Sequence, residues 1–161
     1  MNVRIIIDSS VDIAERFRQH VKIVPLTIHF GEEELIDGVT IDKQRFYERL
    51  VECDELPRTS QANPTAFQKV FEEVTQAGDE AVVITLSSEL SGTCQSACLA
   101  AQDYDNIYVV DSKNAAIGSG ILTEYAIACA KKGMSARETA EELERKKEDV
   151  CLIALLDTLE Y

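Results

Sequence analysis

Four short polar segments carry most of the side chains able to bind or react: Asp8-Ser9-Ser10, Pro57-Arg58-Thr59-Ser60-Gln61, Ser87-Ser88-Glu89-Leu90-Ser91-Gly92-Thr93 and Asp111-Ser112. Ser91-Gly92-Thr93 is the sharpest of these, because it opens a helical stretch directly after a buried-strand pattern. The first turn of a helix offers unpaired N–H groups and the positive end of the dipole. Gly92 lets a ligand approach the backbone and Ser91 adds a hydroxyl. That combination suits a carboxylate or a phosphate without a basic side chain. Taken alone, the triplet reads more simply as an N-cap with a turn glycine.

Catalytic chemistry finds fewer footholds. A Ser-His-Asp hydrolase needs a base, and the two histidines fall at a helix–strand junction (His20) and inside a strand pattern (His29), both ordinary structural positions. The sequence has no G-x-S-x-G elbow, no G-x-x-x-x-G-K-[ST] phosphate loop and no G-x-G-x-x-G fingerprint. Cys94 and Cys98 sit one helical turn apart without partners to complete a zinc set, and they read as core thiols. Asp8, Asp37 and Asp111 fit helix caps better than a Mg²⁺ site. The expectation is no catalytic residue, no metal and no cofactor.

The elements that must position these segments alternate between strand and helix. Val3 to Ile7 reads as a buried strand, followed by a short helix to about Gln19. Val21 to Phe30 reads as a second strand run, at an edge or with an irregularity near Pro25, because proline removes a ladder donor. Gly31 to Gly38 is an acidic hairpin or loop. After Asp42, the residues Phe46, Tyr47, Leu50 and Val51 recur at helical spacing. Asn63-Pro64 is a start signal for a helix with Phe67, Val70, Phe71 and Val74 on one face. Ala81 to Leu86 is a strand buried on both faces, followed by a helix over about 91–102 and a strand at Ile107 to Val110. Ala115 to Lys132 is a long helix with Ile121, Leu122, Tyr125 and Cys129 inward. Ser135 and Glu138 form a capping box for a charged helix to about Lys147, and Cys151 to Leu156 is a last strand. Such alternation predicts an α/β fold of three layers, α/β/α, with a mainly parallel sheet. Ligands in such sheets bind beyond the carboxyl ends of the strands, where three of the four polar segments fall.

Composition narrows the functions. Sixteen basic against 29 acidic residues in 161 give a net charge of -13. That balance argues against nucleic acid, whose phosphates need a Lys/Arg surface, and against a lasting hold on an anionic membrane. A hydrophobic fraction of 45% is that of a globular domain. No signal-peptide pattern and no spanning run occur, and five scattered cysteines fit a reducing compartment, so a cytoplasmic location is expected. Asp157 to Tyr161 reads as a helix that begins and then stops, as in a chain cut short.

Taken together, Asp8-Ser9-Ser10, Val24-Pro25-Leu26, Asp37-Gly38, Pro57 with Thr59-Ser60-Gln61, Ser87-Ser88 with Leu90-Ser91-Gly92-Thr93 and Ser96-Ala97, and Asp111-Ser112 resemble the DegV family in that order. The resemblance covers residues 1–161 and implies a DegV-like amino-terminal α/β domain, with the second, lipid-enclosing domain absent. It implies a non-catalytic fatty-acid-binding protein that holds a long-chain fatty acid and presents its carboxylate to a separate fatty-acid kinase subunit, then holds the acyl phosphate. By that likeness Thr59 and Ser91 hydrogen-bond the carboxylate, Gly92 and Thr93 shape the site, and Ser9, Ser10 and Gln61 are second in rank. A Gly-Gly-Arg arginine and a second-domain histidine of the family have no counterpart here. Residues expected either to line the acyl tunnel or to pack the core are Phe46, Leu50, Phe67, Phe71, Leu122 and Tyr125. Two other readings stand beside this one: an enzyme of phosphoryl or sugar metabolism on a related fold, and a ligand-free domain whose exposed apolar surface promotes self-association.

Overall fold

The computed structural model describes residues 2–53 and 55–155. Four parallel strands form the central sheet: β1 (Val3–Asp8), β2 (Val21–Val24), β6 (Glu80–Thr85) and β7 (Ile107–Asp111), in the order β2-β1-β6-β7. A second, antiparallel sheet has the order β4-β3-β5, with β3 (Thr27–Phe30), β4 (Glu33–Ile36) and β5 (Arg58–Ser60). The helices are α1 (Glu15–Arg18), α2 (Lys43–Glu52), α3 (Pro64–Gln76), α4 (Thr93–Ala101), α5 (Ala116–Lys131) and α6 (Ala136–Lys146), with a 3₁₀ turn at Lys147–Asp149.

β6 is buried at all its positions, so it must present apolar side chains to both sides. Val82 and Ile84 pack with Ile5, Ile7, Leu122, Ala126 and Leu143 on the α5/α6 side. Ala81 and Val83 pack with Ile6, Phe67, Phe71 and Ala97 on the α3/α4 side. The expected three-layer α/β/α order results. Helix starts follow the local code: Asn63 Oδ1 accepts from Thr65 N at 2.9 Å, and Ser135 with Glu138 completes its capping box.

The structure departs from the pattern reading at four places. The run from Val21 to Phe30 is two strands in different sheets, because the chain turns out of the parallel ladder at Pro25 and cannot donate there. Its hairpin partner β4 and the short β5 build the second sheet on β3; the polar composition of Arg58–Ser60 hid that strand. Ile121 is 52% exposed rather than inward. Residues 151–155 form no strand: they pair with nothing among the described residues, and Ile153 and Leu155 are 87% and 99% exposed. Apolar composition makes a segment strand-capable, but a ladder partner makes it a strand. The expected helix from Asp157 lies outside the described residues, as does Leu156.

Candidate functional site

The carboxyl ends of β1 and β6 lie side by side, and Asp8 joins them. Its Oδ2 accepts from Leu86 N at 2.8 Å, while Oδ1 accepts from Ser10 N at 3.0 Å and from the Ser10 hydroxyl. Burial pushes the Asp8 carboxyl up from its usual range, against the hydrogen bonds from Ser10 and Leu86. Asp8 therefore pins the rim, and Ser10 is its partner there. Ser9 fixes the break at Pro25: its N–H donates to Val24 O and its Oγ accepts from Leu26 N, both at 3.0 Å.

Beyond β6, the loop from Ser87 reaches α4 through Ser91 and Gly92. Gly92 is the N-cap and supplies no side-chain cap, so orphan N–H groups of the first turn are left to other partners. Thr93 N donates to Ser91 Oγ at 3.2 Å, and the two hydroxyl oxygens are 3.0 Å apart. Ala62 N donates to Thr93 Oγ1 at 3.2 Å. Thr93 is fully buried and bolts the α4 start to the segment that follows β5. When Thr93 donates its hydroxyl proton to Ser91 Oγ, the Ser91 proton is left for a ligand oxygen.

Gln61 lies across Gly92. Its Nε2 donates to Ser96 Oγ at 3.0 Å, and a Cβ at Gly92 would come within 1.9 Å of Gln61 Oε1. Two sequence-distant motifs, Thr59-Ser60-Gln61 and Ser91-Gly92-Thr93, thus meet at one rim. Thr59 itself is exposed on β5, opposite Ile28 in register. Ser9 and Ser10 stand on the adjoining β1 end and touch neither motif by a hydrogen bond among the described residues.

Beside this rim, two clefts of about 260 and 510 Å³ run between β1, β2 and the second sheet. Ser9, Arg18, Asp37 and Gly38 line both. Phe46 and Tyr47 line the wider one. Of the six apolar residues considered for a tunnel, Phe67, Phe71 and Leu122 are core, and Tyr125 donates to Glu142 Oε1 at 2.9 Å on the α5/α6 side. Phe46 lines the wider cleft.

Two features were missed by sequence reasoning. Lys113, at φ 53°, reaches Ser88 Oγ at 3.1 Å and Asp111 Oδ2 at 3.2 Å. Burial works against the Asp111 charge, but hydrogen bonds from Ser88 and Lys113 outweigh it and hold that carboxyl below its usual range. The second is His29, whose Nε2 is 2.7 Å from Ser60 Oγ; the strand pattern around it carried no hint of that neighbour. Cys94 and Cys129 are buried, whereas Cys98 and Cys151 are exposed and so are not core thiols. Partial desolvation of the sulfur, with Cys94 beside it, pushes the Cys98 thiol up to about 11. Among the described residues no group of three His, Cys, Asp or Glu could hold a metal, and no helix is long and apolar enough to cross a membrane.

Residues 2–161 match the sequence model of a family described as uncharacterised protein, DegV family. The chain is 33% identical to Protein DegV of Bacillus subtilis, over 100% of the chain and 59% of that protein. It is 35% identical to a DegV domain-containing protein of Clostridium perfringens, over 89% of the chain and 52% of the relative. The chain therefore spans little more than half the length of these relatives. Among solved structures, it is similar to DegV of Bacillus subtilis, described as a fatty acid binding protein, with a TM-score of 0.82 and 32% identity over 92% of this chain and 54% of that one. A stearic acid-binding protein of Eubacterium ventriosum superimposes with a TM-score of 0.80 and 30% identity, over 89% and 52% of the two chains.

Proposed function

The chain belongs to the DegV family, and we propose on that premise that it is the carboxylate-gripping part of a fatty-acid-binding protein. The observation that carries this reading is the meeting of Gln61 and Ala62 with the Ser91–Thr93 turn at the start of α4. In it, the α4 N-terminus and the Ser91 hydroxyl receive the carboxylate, Thr59 donates from β5, and Gly92 and Thr93 shape the turn. A carboxylate removed from water must be hydrogen-bonded, and a helix start does this in a chain of net charge -13 without a basic side chain. Each methylene of the acyl tail adds about 0.8 kcal/mol when buried. The remaining length of the relatives supplies, on this reading, the rest of the head-group site and the cover over the tail.

The protein acts as a carrier. On the family likeness, the held carboxylate is presented to a separate kinase subunit in the cytoplasm. The test is a titration of the 161-residue chain with palmitate, read by native mass spectrometry and calorimetry. Weak one-to-one binding is expected, reduced about tenfold by Ser91→Ala, the loss of one hydrogen bond to a charged group. Equal affinity of Ser91→Ala and the parent would remove this turn as the head-group site.

A further inference from the structure

We propose that Ser60 is an acyl acceptor, a hydroxyl activated by His29 and Glu34 on the second sheet. His29 on β3 stands directly across from Glu34 on β4 and from Arg58 on β5. Because side chains alternate along a strand, Ser60 shares the face of Arg58 and His29, opposite to that of Ile28 and Thr59. His29 Nε2 lies 2.7 Å from Ser60 Oγ, and His29 Nδ1 lies 3.9 Å from Glu34 Oε1. With its proton on Nδ1, toward the carboxylate, the imidazole presents Nε2 to the hydroxyl as a base. This is the hydroxyl–imidazole–carboxylate order of serine nucleophiles.

Glu34 has a 72% exposed side chain, so a rotation closes its gap; such bonds are often long in a ligand-free site. A cleft of about 240 Å³ opens at this row, lined by His29, Glu34, Ser60, Gln61, Asn63 and Pro64. The Gln61 N–H follows the hydroxyl by one residue, the position from which nucleophile-elbow enzymes take an oxyanion donor.

The substrate class is an activated ester. Ser60 Oγ bonds to the carbonyl carbon while its proton passes to His29 Nε2. The ester C–O bond then breaks, and the leaving alkoxide or phenolate takes that proton. The products are acyl-Ser60 and the free alcohol, one equivalent per chain. This step uses the face opposite Thr59, so its failure leaves the fatty-acid reading untouched.

The experiment incubates the 161-residue chain with p-nitrophenyl acetate near neutral pH, follows phenolate release and maps the acetyl group by peptide mass spectrometry. Acetyl on Ser60 is expected, formed about 10²-fold more slowly in His29→Gln, the low end for a positioned general base. Circular dichroism checks that this variant keeps its sheet, and the map on the unaltered chain stands whether or not it does. Acetyl on lysines alone, no adduct, or equal rates in the folded His29→Gln variant would overturn the proposal.

Discussion

Replacing Gly92 with alanine separates a local collision from a backbone requirement. Gly92 has φ -72° and ψ 2°, which alanine adopts without strain. The added Cβ would stand 1.9 Å from Gln61 Oε1 and 2.9 Å from its Cδ. Both atoms belong to the end of an exposed, rotatable side chain, so Gln61 swings away. The loss is its hydrogen bond to Ser96, worth about 0.5–1.5 kcal/mol. Ser96 Oγ can then turn back to the carbonyl one helical turn earlier, at Gly92. Alanine also restricts the unfolded chain, a gain of about 0.4–1 kcal/mol. The net change is a destabilisation below about 1 kcal/mol, a fall in Tm of at most about 4 °C for a chain of this size. In the Gln61→Ala background the collision is gone, and the same substitution becomes neutral or slightly stabilising. Thermal and urea unfolding of the four proteins in this cycle measure the coupling. A drop of more than about 2 kcal/mol, or the same drop in both backgrounds, would refute the assignment of this contact to Gln61.

Gly120→Ala should behave differently, since its Cβ would meet the Asp12 backbone oxygen at 1.8 Å. Backbone yields less than a side chain, so a loss of about 1–3 kcal/mol or more is expected in urea unfolding. Ala116→Gly should stabilise the chain by about 0.5–1 kcal/mol in the same assay, because φ 45° costs an L-residue about 1–2 kcal/mol and glycine gives back part of that as chain entropy. Asp8→Ala strands the Leu86 and Ser10 N–H donors and should cost about 2–6 kcal/mol, summed from about 1–3 kcal/mol per unpaired donor. Asp8 has its folded value raised by burial, so its stability relative to Asp8→Asn is greatest below the ordinary value of 3.8 and is lost as pH rises through the raised one. Urea midpoints of the two proteins across that range check the sign.

Much of the central layer was decided by the sequence alone. The β-branched run from Ala81 could be buried on both faces in one way, as an inner strand. The caps at Asn63 and Ser135 are bonds between residues two or three apart, and such bonds need no tertiary context. Pro25 forced a break, and the ordered hydroxyl motifs marked the rim. Only the tertiary structure decided where the broken run went, because β3 pairs with β4 and β5 across the turn and a long connection. Strand pairing is non-local, and the polar Arg58–Ser60 segment carried no pattern for it. The same holds for Cys151 to Leu155, whose composition suited a strand but which pairs with no strand among the described residues. Gln61 over Gly92 and His29 beside Ser60 join residues about thirty apart. Periodicity and capping codes act within one element, whereas the rim is made where elements meet, which is why the motifs were legible in the sequence and their contacts were not.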